Sequence, residues 1–251
     1  MRPRLPVSLA LFLLLGIVAA RADQFSPAQR AEIVRIVRDA LKQDPSILRD
    51  AVAALQAEEG SKEQATQRAA IGAARQALVA DPADPVAGNT AGDVTIVEFF
   101  DTRCPYCRKL EPAMASLIAR DRGVRLVYKD LPVLGPTSVL GSKMLLAAQR
   151  QSGAVPDAYA KLRSLVMNQG PDQSREALLA DARRVGLDVA RLEKDMDNPA
   201  TQRRIEANLH LARDLGIEGT PALVIGDALI PGAVDLAELE QAVAAARSAS
   251  R

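Results

Sequence analysis

Cys104-Pro105-Tyr106-Cys107 holds both cysteines of a 251-residue chain. As a structural disulfide the pair would close a four-residue loop, worth only ~2 kcal/mol in loop-closure entropy against ~4.7 kcal/mol for a loop of about a hundred residues. That is a weak staple. A zinc site needs four ligands, and the chain offers two thiols and a lone, distant His210. A redox-active dithiol accounts for the spacing better: a thiolate at the first position attacks, and the second, one helical turn on, resolves the mixed disulfide. Paired thiolates also suit Cu(I), so a copper-handling binding protein is the rival from a different class.

The nucleophile has to be ionised, and its position supplies the means. Val94-Thr95-Ile96-Val97-Glu98-Phe99-Phe100 reads as a strand buried on both faces, and a helical pattern follows the motif to about Arg120. Cys104 therefore sits where unpaired N–H groups and the positive end of a helix dipole favour an anion. At pH 7 a thiol of pKa ~8.5 is ~3% ionised, whereas one near 4 is almost wholly ionised. Pro105 fixes the backbone of the first turn, and Tyr106 is placed to tune the local polarity. Arg103, Arg108 and Lys109 add positive charge nearby. No metal or cofactor is expected.

The elements that must hold this motif form an α/β pattern. A second strand is expected over Val124 to Tyr128, and helical patterns then fill the chain to about Leu215. Gly219-Thr220-Pro221 leads into a hairpin, Ala222 to Ile225 and Ala228 to Ile230 around Gly226-Asp227, with a last helix from about Asp235. In front, Ser26-Pro27 and Asp44-Pro45 each read as a helix cap followed by proline. The stripe Leu48, Val52 and Leu55 behind them needs an apolar partner, a second copy or the chain's own catalytic domain. Asp81 to Asn89 is a turn-rich boundary. The expected division is 1–22 a leader, 23–88 a helical arm and 89–251 the catalytic domain, with a helical insertion at about 137–200.

Composition narrows the function classes. With 32 Lys+Arg against 31 Asp+Glu and only 3% aromatic residues, the chain lacks the basic footprint and stacking rings of a nucleic-acid binder. At 48% hydrophobic residues it can bury a sizeable core. Arg2 and Arg4, the uncharged run Leu9 to Ala20 and Ala20-Arg21-Ala22 follow the three-part pattern of a cleavable secretory signal, too short to span a bilayer. The expected compartment is the periplasm, where disulfides persist.

Glu98-Phe99-Phe100, the Cys104–Cys107 motif and Gly219-Thr220-Pro221 together resemble the DsbA family of thioredoxin-fold thiol–disulfide oxidoreductases, over about Asp93 to Ala246. The resemblance implies a thioredoxin fold with a helical insertion, which the 117 residues between Cys104 and Pro221 accommodate. It implies that Pro221 is a cis-proline facing the active site with Thr220 before it, the two binding the substrate backbone. It also implies that Glu98 is a buried acid relaying protons for Cys107. The family's prototype oxidase has histidine where this chain has Tyr106, so the same strongly oxidising potential does not follow. Residues 23 to about 88 are similar to the N-terminal extension of the copper-sensitivity-suppressor (ScsC-like) branch. That resemblance implies a homo-oligomer, as large as a trimer, with isomerase activity and a link to copper tolerance. The implied partners are exported proteins with cysteines and an unidentified membrane redox partner. A monomeric oxidase or reductase is the enzymatic alternative.

Overall fold

The computed structural model describes residues 25–170 and 173–249. The signal expected at 1–22 lies outside the described residues. Two compact units divide the chain, the first ending at Glu59 and the second running from Gly60.

In the first unit, α1 (Pro27–Gln43) starts as its sequence dictates. Ser26 Oγ accepts from the Gln29 amide at 3.3 Å and Gln29 Oε1 accepts from the Ser26 amide at 2.8 Å. This reciprocal box satisfies two otherwise orphaned donors, with Pro27 at the first helical position. Asp44 accepts from the amide of Ser46 at 3.0 Å where α2 (Ser46–Val79) begins. Ile33, Val34, Ile36 and Val37 of α1 and Leu48, Val52 and Leu55 of α2 are all exposed.

The second unit is built on a five-stranded sheet: β1 (Val86–Gly88), β2 (Val94–Phe100), β3 (Val124–Asp130), β4 (Ala222–Ile225) and β5 (Ala228–Pro231), in the order β1-β3-β2-β4-β5. β2 and β3 run parallel, joined through α3 (Pro105–Arg120); the other three pairings are antiparallel. Between β3 and β4 come α4 (Pro136–Gln149), α5 (Ala158–Asn168), α6 (Arg175–Val185), α7 (Val189–Met196) and α8 (Pro199–Asp214). The chain closes with α9 (Leu236–Ala249). This is the mixed sheet of a thioredoxin fold with a helical insertion.

Successive side chains of a strand point to opposite faces, so β2 feeds two cores. Ile96 and Phe100 pack with α3, α4, α5 and α9 through Leu110, Met144, Leu162 and Leu239. Val97 and Phe99 pack on the other face with Ile71 and Leu78 of α2, Leu211 of α8 and Leu215, which caps that helix. Residues 60–88, read in sequence with the arm, thus pack against the sheet, and the unit boundary falls inside α2.

Two features of the sheet were not expected. β1 lies within the turn-rich stretch; three residues behind Pro85 carry no alternation to read, yet they pair in register with Val127, Leu126 and Arg125. β3 continues past Tyr128 through Lys129 and Asp130, charged residues buried by specific partners. Lys129 Nζ donates to Asp84 at 2.5 Å and to the Ala77 carbonyl at 2.7 Å, and Tyr159 Oη donates to Asp130 at 2.9 Å. Burial of charge is tolerated where such partners are in place.

Candidate active site

Cys104 is the N-cap of α3, with extended backbone (φ −69°, ψ 120°), and Pro105 occupies the first turn where its missing N–H costs nothing. Its amide donates to the Asp101 carbonyl at 3.1 Å, and its own carbonyl accepts from Arg108 at 3.2 Å. Its side chain is only 4% exposed, with the neutral thiol donating to the Thr220 carbonyl at 3.2 Å. The Thr220–Pro221 peptide is cis. Residues 116 positions apart in sequence therefore meet at one sulfur atom. Tyr106 points outward, 61% exposed, while Cys107 is fully buried one turn on.

Electrostatics separate the two sulfurs, both of which are free thiols. The Cys104 thiol is pulled down from 9.0 to about 5, chiefly because the Cys107 thiol donates a hydrogen bond to the thiolate. The Thr220 side chain and the amides of Cys107 and Tyr106 at the start of α3 add to this, against the cost of burial. Cys107 moves the opposite way. Its proton is engaged by Cys104, its site is desolvated, and the nearby negative charge of Glu98 opposes a second anion. One sulfur is poised as anion and the other held as proton donor.

Beneath them, Glu98 is fully buried on the face of β2 shared with Phe100, and desolvation raises its carboxyl to about 7. Its Oε1 accepts from Arg163 Nη2 at 3.1 Å, and its Oε2 has no hydrogen-bond partner. The same guanidinium meets Glu111 Oε1 at 2.5 Å through Nη1 and lies 4.3 Å from the ring centroids of both Phe100 and Tyr128. Asp130, also buried, is raised to about 7 by desolvation.

Asp101 organises the rim. Its buried carboxylate accepts from the amides of Arg103 (2.8 Å), Val133 (2.8 Å) and Leu134 (3.0 Å) and from Ser138 Oγ (2.8 Å). It thereby ties the cysteine loop to the β3–α4 loop, where the Val133 and Leu134 side chains are exposed. α4 approaches closely because residue 141 is glycine: a Cβ there would lie 2.5 Å from Thr102 Oγ1.

All seven residues picked from the sequence lie in this region: Tyr106 exposed, Cys104 and Cys107 buried beside Thr220 and Pro221, and Glu98 buried on β2. Sequence reading missed Asp101, Glu111, Asp130, Tyr159 and Arg163. Asp101, directly behind the strand and ahead of the motif, carried a local signal. Arg163 carried none, because in sequence it is one more basic residue on a helix. Among the described residues no group of three or more His, Cys, Asp or Glu is placed to hold a metal ion, and no helix is long and apolar enough to cross a membrane.

Comparison with known proteins places this geometry. A thioredoxin-like oxidoreductase from Silicibacter pomeroyi is 41% identical, covering 69% of this chain and 98% of that one, with a TM-score of 0.65. Proteus mirabilis ScsC in a transitional conformation is 30% identical, covering 90% of this chain and 98% of that one, at a TM-score of 0.65. The thiol:disulfide interchange protein DsbA of Bordetella parapertussis is 25% identical over 143 residues, 57% of this chain and 68% of that protein. The chain spans only about a quarter of the length of the sodium/proton antiporters it also matches; one from Salinispora tropica is 28% identical over 174 residues, 68% of this chain and 26% of the antiporter. Residues 29–60 match the copper resistance protein ScsC N-terminal domain. Residues 95–244, well over half of the chain, match the DSBA-like thioredoxin domain, and the chain belongs to that family.

Proposed function

We propose that the protein is an exported thiol–disulfide oxidoreductase acting on protein substrates through Cys104 and Cys107. The observation that carries this reading is the Cys104 sulfur, held at the head of α3 with its pKa near 5 and 3.2 Å from the Thr220 carbonyl. In the reducing direction the Cys104 thiolate attacks a substrate disulfide, forming a mixed disulfide and expelling one substrate thiolate. Cys107, deprotonated with Glu98 as the acceptor, then attacks the Cys104 sulfur and expels the second thiolate. Two electrons pass to the substrate and the pair is left oxidised. In the oxidising direction a substrate thiolate attacks Cys104 and Cys107 leaves; a second substrate thiolate then attacks the substrate sulfur of the mixed disulfide and expels Cys104, leaving the substrate oxidised and the pair reduced. The backbone at Thr220 and Pro221 lies beside the reacting sulfur, suited to pair with an extended substrate segment. Pro105 and Tyr106 tune the pair.

Export is supported by the pattern of residues 1–22, with the periplasm as destination, and the sequence divides at about 22 and 88 into leader, arm and catalytic domain, the arm's portion from Gly60 on folding with the catalytic unit. The exposed apolar residues of α1 and α2 and the match at 29–60 support self-association through the arm, as large as a trimer, with isomerase activity and a link to copper tolerance. A membrane redox partner would reset the pair. Replacing Cys104 with Ser should abolish both dithiol oxidation and repair of scrambled ribonuclease; full retention of either activity contradicts the assignment. Light scattering beside the ribonuclease assay separates the finer readings, since a monomer that oxidises dithiols without unscrambling is an oxidase. Tight stoichiometric Cu(I) binding without dithiol turnover would favour copper handling, a reading the match at 29–60 also invites.

A further inference from the structure

The thioredoxin sheet does not supply the positive charge beside Glu98; the helical insertion does. Arg163 projects from α5 and is 3% exposed. Its Nη2 meets Glu98 on β2 and its Nη1 meets Glu111 on α3, so one planar fork spans two carboxylates from two elements. Two rings, Phe100 and Tyr128, each 4.3 Å from the guanidinium carbon, fix the plane of the fork. Glu111 follows Cys107 by four residues on α3, hence on the same helical face. Glu111 is partly exposed; its side chain is 32% accessible against 1% for Glu98.

We propose that Arg163 is a positioning residue for the dithiol chemistry: it anchors Glu98 through Oε1, leaves Oε2 free to take the Cys107 proton, and divides its charge between Glu98 and Glu111 so that the buried acid can both gain and lose that proton. The inference rests on the reading of Cys104 and Cys107 as an exchanging pair. The step it governs is resolution. As Cys107 attacks, its S–H proton is taken up by the Glu98 carboxylate without a direct hydrogen bond between the two, the new S–S bond forms to Cys104 and the leaving thiolate departs with its electron pair.

The groups facing Glu98 act in known directions. Arg163 from α5 favours the carboxylate, whereas Glu111 from α3 and Asp130 from β3 oppose it, with burial the largest influence. Cys107 from α3 and Tyr128 from β3 feel the Glu98 charge in return. The strand on the other side contributes Leu223, which carries no charge. The titration belongs to the Glu98–Cys107 pair rather than to either group. Removing the guanidinium should therefore raise the pH at which resolution switches on, and removing the competing Glu111 carboxylate should lower it.

The test uses the full chain, reduced, mixed with 5,5′-dithiobis(2-nitrobenzoate) in a stopped-flow instrument. The first thionitrobenzoate released reports Cys104 attack and the second reports resolution by Cys107. For Arg163→Met, the second phase at pH 7 should slow by about five- to tenfold and its pH midpoint rise by about one pH unit, with the first phase within about twofold of wild type. Arg163→Lys keeps the charge and should restore most of the rate. Glu111→Gln, at a partly exposed position that should fold whatever happens to Arg163→Met, should move the second-phase midpoint down. An unchanged midpoint in folded Arg163→Met, or an unchanged or upward midpoint in Glu111→Gln, overturns the proposal. Loss of the two-phase release in wild type contradicts the exchanging pair itself, a separate failure visible in the same trace.

Discussion

Replacing Cys107 with Ala removes the thiol that contributes most to stabilising the Cys104 anion, so the ionisation of Cys104 should move upward. In the native chain that ionisation lies at about 5 against an ordinary 9.0. At about 1.4 kcal/mol per pH unit, the difference amounts to roughly 5 kcal/mol in favour of the thiolate. A hydrogen bond to a charged group contributes about 1.5–3 kcal/mol, or roughly 1–2 pH units of this. The Cys107→Ala midpoint should therefore fall at about 6–7, the remainder being held by Thr220 and the α3 amides. Alkylation of Cys104 by iodoacetamide, followed by mass spectrometry from pH 4 to 10, reads the midpoint directly. At pH 5.5 the variant should react roughly three- to twenty-fivefold more slowly, following its smaller thiolate fraction. A wild-type midpoint near 9, or a Cys107→Ala midpoint equal to wild type, would refute the argument that the second thiol and the helix start activate the first.

Other perturbations test the surroundings of the pair. Asp101→Ala strips the acceptor from three amides and a hydroxyl; the urea midpoint should show a loss of about 2–4 kcal/mol, and limited proteolysis should find the Val133–Leu134 loop newly susceptible. Gly141→Ala places a methyl 2.5 Å from Thr102 Oγ1 and 3.2 Å from its Cβ. It should cost about 1–3 kcal/mol in stability, and unchanged stability would show that α4 has room to withdraw. The oxidised protein should lose stability as pH rises from about 4 to 7. Burial holds Glu98 and Asp130 at about 7, so the folded chain binds protons there that the unfolded chain has released. Their contribution is complete below pH 4 and gone above 7, and denaturant midpoints that rise across this range contradict it. The lowered Cys104 pKa acts oppositely in the reduced protein, adding stability as pH rises from about 5 to 9.

Much of the frame was legible because its signals are local. Val94–Phe100 is a run of β-formers with one charge, Gly226 has the positive φ (61°) that the hairpin turn requires, and Ser26-Pro27 starts a helix with its own side chains. The cysteine pair was legible for a different reason: two thiols at that spacing have few other uses. What escaped depends on contacts distant in sequence. β1 is a strand only because β3 offers it an edge, and Lys129 is a strand residue only because Asp84, 45 positions away, neutralises it. Arg163 belongs to the same class. Nothing within α5 distinguishes it from a surface arginine until Glu98, 65 residues earlier, is placed beneath it. Glu98 itself stood out through the family resemblance, as an acid in an otherwise apolar strand ahead of the cysteines, and its companions went unnoticed because each is unremarkable alone.

Which sulfur joins the substrate decides the roles of the two cysteines. Reduced Cys107→Ser protein mixed with a disulfide-bonded peptide, then digested without reductant and mapped by mass spectrometry, should carry one peptide thiol on Cys104. Reduced Cys104→Ser protein should carry none on Cys107, which is fully buried. An adduct on Cys107 formed as readily as the one on Cys104, or no adduct on Cys104 while the native chain still exchanges disulfides, would contradict the assignment of Cys104 as the attacking thiolate.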